Sequence, residues 1–222
     1  MKKIVVIGAS SSSSSINRIF ANYAAKSLNI ECKIKDLVLS DFEMPIYSED
    51  KQNNSGIPYK ALNFKKEISK SDGIVISLAE HNGSYTAAFK NIYDWISVIE
   101  NDVWCSKPIL LLSTSPGARG GLSVLKLAHD RFSKNYKYDI PHFSLPSFKE
   151  NFNETEGITN IRLNQDFHTV LIDFQNYPHF LSHIENVEIN LNNPPFWEIC
   201  FVLQLIRRME YEIRLQLDDF PE

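Results

Sequence analysis

The amino-acid sequence predicts a doubly wound α/β domain built on a parallel sheet, followed by a C-terminal extension. Short apolar runs rich in Ile, Val and Leu do not alternate with polar residues, which is typical of strands covered on both faces. Segments with the apolar spacing of helices separate these runs. Strand and helix alternate strictly, and five strands joined by right-handed crossovers fit the order 2-1-3-4-5.

Five strands and five helices are predicted between residues 3 and 174. The clearest helix follows the third strand, where apolar residues from Tyr85 to Ile99 fall on one face. The predicted strands are Lys3–Gly8, Glu31–Leu37, Gly73–Ala79, Pro108–Thr114 and Ile140–Leu145. The predicted helices lie near Ile16–Leu28, Tyr59–Ser71, Tyr85–Ile99, Gly121–Lys134 and Thr159–Phe174.

The alternating pattern ends after about Asn176. We therefore divide the chain into a domain over residues 1–176 and an extension over residues 177–222. The sequence Asn-Asn-Pro-Pro at residues 192–195 predicts a turn, and the apolar spacing over Phe196–Leu217 predicts one more helix. We expect this helix to pack on its own domain or on a partner subunit.

Charge and cysteine content exclude several classes of protein. The formal net charge of −4 provides no basic patch for nucleic acid and no polybasic segment for a membrane surface. The first apolar run ends at Gly8, too early for a signal peptide or a membrane span, so we expect a cytoplasmic protein. Cys32, Cys105 and Cys200 lie far apart without metal-ligand spacing, and we expect reduced thiols and no metal site.

The loop between the first strand and the first helix contains six consecutive serines, Ser10 to Ser15. Ligands of doubly wound sheets bind beyond the carboxyl ends of the strands, where a helix N-terminus supplies free N–H groups and positive charge. Serine hydroxyls can donate to a phosphate, and the Asn17 side chain can cap the helix or reach the same anion. Alternatively, the serines only cap the helix, which needs one of them. The glycine patterns of triphosphate and dinucleotide sites are missing, so a monoester phosphate is expected.

This loop resembles the first loop of the NADPH-dependent FMN reductase family, which has a flavodoxin-like fold and is related to quinone, azo-dye and chromate reductases. The resemblance covers about residues 1–175. The family pattern G-S-x-R-x-x-S-x-N corresponds here to Ala9, Ser10, Ser12, Ser15 and Asn17, with Ser12 in place of the arginine. The resemblance implies FMN phosphate contacts from Ser10, Ser15 and Asn17, in a loop that also includes Ser12 and Ile16.

A second motif lies at the end of the third strand, where Glu80-His81-Asn82-Gly83-Ser84 resembles the family's P-E-Y-N-x-S loop. Ala79 replaces its proline and His81 its tyrosine. Ala88-Phe89-Lys90-Asn91 and Asp94-Trp95 resemble the L-K-N-x-x-D-W helix that follows. The resemblance implies that backbone N–H groups of this loop bind the flavin ring and that His81 stacks on it or touches its edge. The alternatives are a solvated His81 and a Trp95 that belongs to the core.

A third motif, Ser113 to Gly121, resembles the family's glycine-rich loop after the fourth strand. The resemblance implies cofactor contacts from Ser115, Pro116, Gly117, Arg119, Gly120 and Gly121. Glycines there permit close approach of the backbone to the ring. The alternative is an ordinary Pro-Gly turn.

The resemblance implies an oxidoreductase that passes electrons from NADPH or NADH through FMN to flavin, quinone or a similar acceptor. FMN is expected instead of FAD because the first loop offers one phosphate site. The flavin carries the chemistry, so we assign no catalytic acid or base. A nicotinamide 2′-phosphate calls for a guanidinium, and Arg119 is a better candidate than Arg18, which lies inside the first helix.

Other function classes fit less well. A flavodoxin-type electron carrier is normally strongly acidic, unlike this chain. A receiver domain needs acidic residues where the serines stand, and a serine hydrolase needs a G-x-S-x-G elbow. A non-enzymatic flavin-binding protein remains an alternative. The resemblance also implies a homodimer or homotetramer.

Overall fold

A five-stranded parallel sheet forms the centre of the computed structural model, which describes residues 1–134, 136 and 139–177. The elements in chain order are β1 (Lys2–Ala9), α1 (Ile16–Lys26), β2 (Cys32–Asp36), α2 (Glu49–Ser55), α3 (Tyr59–Ser69), β3 (Gly73–Leu78), β4 (Glu80–His81), β5 (Ser84–Tyr85), α4 (Ala87–Ser97), β6 (Ile109–Thr114), α5 (Leu122–Ser133), β7 (His142–Leu145), α6 (Phe148–Asn151), β8 (Phe152–Asn153), β9 (Gly157–Ile158) and α7 (Ile161–Gln175). A 3-10 helix covers Leu39–Phe42.

The strand order is β2-β1-β3-β6-β7, and every neighbouring pair is parallel. Counted along the sheet's own strands this is 2-1-3-4-5, which confirms the predicted topology. The winding direction reverses between β1 and β3, which pair from Ile4 opposite Gly73 to Ala9 opposite Leu78. The crevice of a doubly wound fold therefore opens at the carboxyl ends of these two strands.

The central strands read as unbroken apolar runs because helices cover both faces of the sheet. Val5 and Ile7 face a core shared with Phe64 of α3, Trp95 of α4 and Leu125 of α5. Their neighbours Ile4 and Val6 face the opposite core, which contains Phe20 of α1 and Phe167 of α7. Residues 73–78 and 109–114 are buried throughout, so alternation with polar residues is absent from β3 and β6 as well.

The five predicted strands and five predicted helices are all present, with ends displaced by a few residues. The elements that the sequence analysis did not predict are short. Helix α2 buries none of its residues, so it lacks the apolar spacing by which a helix is recognised. The segment predicted as a loop after β3 is a hairpin, in which β4 pairs with β5. Tyr85 was predicted in the following helix but belongs to this hairpin.

The predicted helix over 196–217 lies outside the described residues. Among the helices that are described, none has the length and apolar content to cross a bilayer.

Helix α1 approaches the sheet most closely at Gly8. A Cβ atom at Gly8 would lie 2.4 Å from the Arg18 Cα atom and 2.7 Å from the Arg18 nitrogen. Both are backbone atoms of α1, so no side-chain rotation relieves the clash. The absence of a side chain at Gly8 therefore permits the first turn of α1 to lie against the end of β1.

Replacing Gly8 by alanine should destabilise the protein by about 1–3 kcal/mol, because the added methyl group must push α1 away from β1. Urea unfolding monitored by circular dichroism measures the change. Gly117→Ala is the matched control, since a Cβ there meets only the Ser115 Oγ atom at 3.9 Å. Equal stability of the Gly8 variant and the control would show that α1 has room to move.

Candidate active site

Three segments meet at the carboxyl edge of the sheet. They are the serine loop (residues 10–15) after β1, the hairpin (residues 80–85) after β3, and the glycine loop (residues 115–121) after β6. Because β1, β3 and β6 are neighbours and parallel, the segments that follow them lie side by side. The structure thus brings together the three motifs found in the sequence.

The serine loop leaves most of its hydroxyls exposed. Ser15 is buried and is the N-cap of α1, where its side chain accepts a hydrogen bond from the Arg18 N–H at 3.2 Å. One serine is therefore enough for the cap, and residues 11–14 are exposed. Ile16 and Asn17 are the first two residues of α1, so their N–H groups have no intrahelical acceptor and lie at the positive end of the helix. Hydroxyl and N–H donors are thus combined without a charged side chain in the loop.

The Asn17 side chain is directed into the protein and away from the serine loop. It is 3% exposed. Its Nδ2 donates to the Thr114 carbonyl oxygen at 3.0 Å, and its Oδ1 accepts from the Thr114 N–H at 3.0 Å and the Ser77 hydroxyl at 2.7 Å. The amide is thus held by the ends of β3 and β6, and the phosphate contact that the resemblance implied for the Asn17 side chain stays a prediction. The backbone N–H of Asn17 lies in the first turn of α1 and can also contribute to an anion site.

A tight turn shapes the hairpin. Asn82 and Gly83 have φ angles of 51° and 77°, as a two-residue turn with both central residues in the left-handed region requires. Residues 81–84 are exposed, and a Cβ atom at Gly83 would meet nothing within 4 Å. The hairpin therefore presents its turn, including His81, to open space. The Asn-Gly pair was the sequence signal for this hairpin.

Glu80 connects the hairpin to helix α5. Its Oε2 accepts a hydrogen bond from the Val124 N–H at 3.0 Å, in the first turn of α5. The N-cap of α5 is Gly121, which has no side chain to cap the helix. The Glu80 carboxylate satisfies one of the free N–H groups and places negative charge at the positive helix end. A cofactor contact from Glu80 would therefore come from its backbone or from its second carboxylate oxygen.

Thr86 connects the hairpin to the serine loop, and the sequence analysis did not identify it. Its hydroxyl accepts from the Phe89 N–H at 3.2 Å as the N-cap of α4 and donates to the Ala9 carbonyl oxygen at 3.0 Å. The residue is 2% exposed. A threonine just before an apolar helix pattern is a recognisable N-cap signal, but its contact with Ala9 has no local signature.

Two residues of the second motif support the fold. The Trp95 indole N–H donates to the Pro45 carbonyl oxygen at 2.7 Å, and the ring is 1% exposed. The Asn91 Oδ1 accepts from the Tyr47 N–H at 2.8 Å. Helix α4 thus holds the segment between the 3-10 helix and α2. Trp95 belongs to the core, as the alternative reading of the sequence had it.

The glycine loop is anchored at its end and open at its start. Gly120 and Gly121 have φ angles of 57° and 77°. A Cβ at Gly120 would lie 2.8 Å from the Leu145 backbone, and the Ser113 and Ser144 hydroxyls donate to the Gly120 carbonyl oxygen at 2.8 and 3.0 Å. Residues 116–119 are exposed. Gly120 therefore permits close packing against β7, which an ordinary Pro-Gly turn does not require.

The two arginines differ in availability. The Arg18 Nε donates to the Asp36 Oδ2 at 2.8 Å, which ties this side chain to the end of β2. Arg119 is exposed in the glycine loop and donates to the Ser123 hydroxyl. Among the described residues Arg119 forms no ion pair, and the Ser123 hydroxyl is neutral, so Arg119 is better placed than Arg18 to meet an anion.

The Tyr85 phenol of the hairpin is held in its neutral form. Burial raises the pKa of the Tyr85 phenol far above its usual range, and Tyr93 adds to the rise. Its hydroxyl has no hydrogen-bond partner within the part of the chain that the structure describes. Tyr85 therefore stays protonated, and its ring packs on Phe89 with centroids 5.4 Å apart. Its role is to support the hairpin.

The chemistry of this edge fits a flavin mononucleotide. The serine loop supplies donors for one phosphate. The space above Gly83 and Gly117 is open, so a planar ring can approach the backbone of both ring-facing segments. The glycine loop and the hairpin present polar backbone groups beside that space.

Comparison with known proteins identifies relatives. The family model of the NADPH-dependent FMN reductases matches residues 2–148. A quinone reductase of Escherichia coli (strain K12) is 33% identical over 79 residues, which are 36% of this chain and 42% of that protein. The chain thus spans less than half the length of this relative. An NADPH azoreductase of Bacillus sp. (strain OY1-2) is 28% identical over 139 residues, 63% of this chain and 73% of that protein.

The solved structure of FerB, a flavoenzyme NAD(P)H:(acceptor) oxidoreductase from Paracoccus denitrificans, has the same fold. Its TM-score is 0.62 at 22% identity, over 78% of this chain and 95% of that one. The family match extends over more than half of the 222 residues and includes the serine loop, the hairpin and the glycine loop. The chain belongs to the NADPH-dependent FMN reductase family.

Proposed function

We propose that this protein binds FMN at the carboxyl edge of its sheet and passes electrons from NADPH or NADH to a small acceptor such as a flavin or a quinone. The observation that carries the proposal is the placement of the serine loop, the hairpin and the glycine loop side by side at the point where the winding reverses. Family membership supports FMN as the cofactor. Relatives named quinone reductase and azoreductase support a small-molecule acceptor.

The serine loop and the first turn of α1 would hold the phosphate. Exposed hydroxyls, together with Ser10, can donate to its oxygens, and the N–H groups of Ile16 and Asn17 point out of the helix end. The positive end of α1 stabilises the negative charge. The Ser15 oxygen caps the first turn as an acceptor, and its O–H group can donate to the phosphate as well.

The hairpin and the glycine loop would hold and orient the ring. Residues 81–84 can offer backbone groups to its polar edge, while residues 115–117 face it from β6. The chemistry that bound FMN supplies is transfer of electrons from the nicotinamide to the acceptor. No acid or base is assigned to the protein, and Tyr85 remains neutral. The side chains therefore act by position: Glu80 and Thr86 fix the hairpin against α5 and the serine loop.

We also propose the division of the chain into a domain and a C-terminal extension that the sequence predicts. Helix α7 ends at Gln175, one residue before the proposed end of the domain at Asn176. Residues 177–222 form the proposed extension. We further propose a cytoplasmic homodimer or homotetramer without nucleic-acid or membrane partners.

The flavin extracted from the purified protein should be FMN, because one phosphate site is present and no segment is assigned to an adenosine half. Chromatography of the extract after denaturation identifies it. FAD in the extract, or no flavin binding after incubation with FMN, would contradict the cofactor assignment. Bound FMN that neither NADPH nor NADH reduces would instead indicate a non-enzymatic flavin-binding protein.

Removing two exposed hydroxyls, in the double variant Ser12→Ala/Ser14→Ala, should weaken FMN binding roughly ten- to a hundredfold, since contacts to a charged phosphate are lost. Riboflavin, which has no phosphate, should bind as before. Fluorescence titration measures both affinities. The control Ser55→Ala/Ser69→Ala removes two exposed hydroxyls of α2 and α3, outside the serine loop, the hairpin and the glycine loop. An unchanged FMN affinity would place the phosphate elsewhere.

Arg119→Ala should abolish a modest preference for NADPH over NADH and leave FMN bound, because the exposed guanidinium is the proposed contact of the 2′-phosphate. Stopped-flow reduction of the bound flavin by each donor measures the preference. Arg162→Ala, on the far helix α7, is the control. A strong NADPH preference that survives Arg119→Ala would contradict the assignment.

A further inference from the structure

The Asn17 amide takes the place of a missing strand partner. Pairing between β3 and β6 ends where Leu78 lies opposite Ser113. At the next residue, Thr114, the Asn17 side chain bonds both the N–H and the carbonyl oxygen of the backbone, each at 3.0 Å. A peptide group of a continuing strand would offer the same donor and acceptor. The side chain therefore allows β3 to turn away into the hairpin while β6 keeps its partners.

The Asn17 side chain joins α1, which follows the serine loop, to β3 and β6, which precede the hairpin and the glycine loop. Its backbone lies in the first turn of α1, directly after the serine loop. Thr114 is the last residue of β6, directly before the glycine loop. Ser77, which donates to the Asn17 Oδ1 at 2.7 Å, lies in β3 three residues before the hairpin. Asn17 thus fixes the position of the serine loop relative to the hairpin and the glycine loop.

The Asn17 side chain and its partners are buried. Asn17 is 3% exposed, Thr114 is 1% exposed and Ser77 is fully buried. Loss of the amide would leave the Thr114 N–H, the Thr114 carbonyl and the Ser77 hydroxyl unpaired inside the protein. Buried polar groups without partners are costly, so the strand ends would move to find new ones.

We propose that Asn17 is a positioning residue, which sets the serine loop relative to the hairpin and the glycine loop and does not bind the phosphate with its side chain. The proposal rests on the proposed function, because it concerns the same FMN site. The proposed role differs from the one that the resemblance implied, which is direct contact between the Asn17 side chain and the phosphate. The two roles are separable: direct contact affects only a ligand with a phosphate, whereas positioning affects the ring as well.

Asn17→Leu tests the proposal, because leucine has the same number of side-chain heavy atoms branched at the same position, adds no charge and cannot hydrogen-bond. Fluorescence titration with FMN and with riboflavin gives the two affinities, and the absorption spectrum at saturation reports the surroundings of the ring. We expect both affinities to fall by a similar factor, about tenfold or more, with a shifted spectrum for both ligands. Ser12→Ala/Ser14→Ala provides the contrasting pattern, with loss of FMN affinity alone.

Ser77→Ala provides an independent test if Asn17→Leu does not fold. It removes only the buried hydroxyl that orients the Asn17 amide, and it should weaken FMN and riboflavin in equal proportion, by less than Asn17→Leu does. Loss of FMN affinity alone in the Asn17 variant would establish direct contact and overturn the proposal, as would two variants with unchanged affinities. Failure of the wild-type protein to bind either flavin would instead overturn the proposed function on which the proposal rests.

Discussion

The close contact between the first turn of α1 and the end of β1 is the constraint on which the site depends. It exists because Gly8 has no side chain where the Arg18 backbone passes. The contact lets a side chain as short as Asn17 reach across to Thr114, 97 residues later in the chain. A helix held farther away would leave the last backbone groups of β6 unpaired. Gly8 is thus needed for the Asn17 side chain to reach the last backbone groups of β6.

The other elements at this edge are fixed in the same way, by a polar side chain that satisfies a distant backbone group. Glu80 caps α5, whose own N-cap is a glycine, and Thr86 both caps α4 and bonds the Ala9 carbonyl oxygen. Each bond joins the end of one strand to the start of a helix that follows another. None of these bonds uses a side chain from the exposed turns of the three segments, which are residues 11–14, 81–84 and 116–119.

The elements of the sheet were predictable because burial on both faces leaves a local mark, the unbroken apolar run. The three motifs were also predictable, since parallel neighbouring strands bring their loops to one edge. The directions of the side chains within those motifs were not. The sequence predicted that the Asn17 side chain caps the helix or reaches the phosphate, and its partners in the structure, Ser77 and Thr114, are revealed by no local pattern. Helix α2 was not predicted because it buries none of its residues and therefore has no apolar spacing in the sequence.

The composition of the serine loop has a consequence for selectivity. All six residues are neutral, and the nearby Arg18 is paired with Asp36. A neutral loop of this kind produces little long-range electrostatic potential. It therefore does not speed the association of anions, and its affinity for a phosphate depends only weakly on salt concentration. A small anion such as inorganic phosphate would meet the same hydroxyls without the contacts that the hairpin and the glycine loop reserve for a ring. The proposed site would therefore distinguish a flavin phosphate from inorganic phosphate through the hairpin and the glycine loop, which follow strands next to β1 and β3 in the sheet.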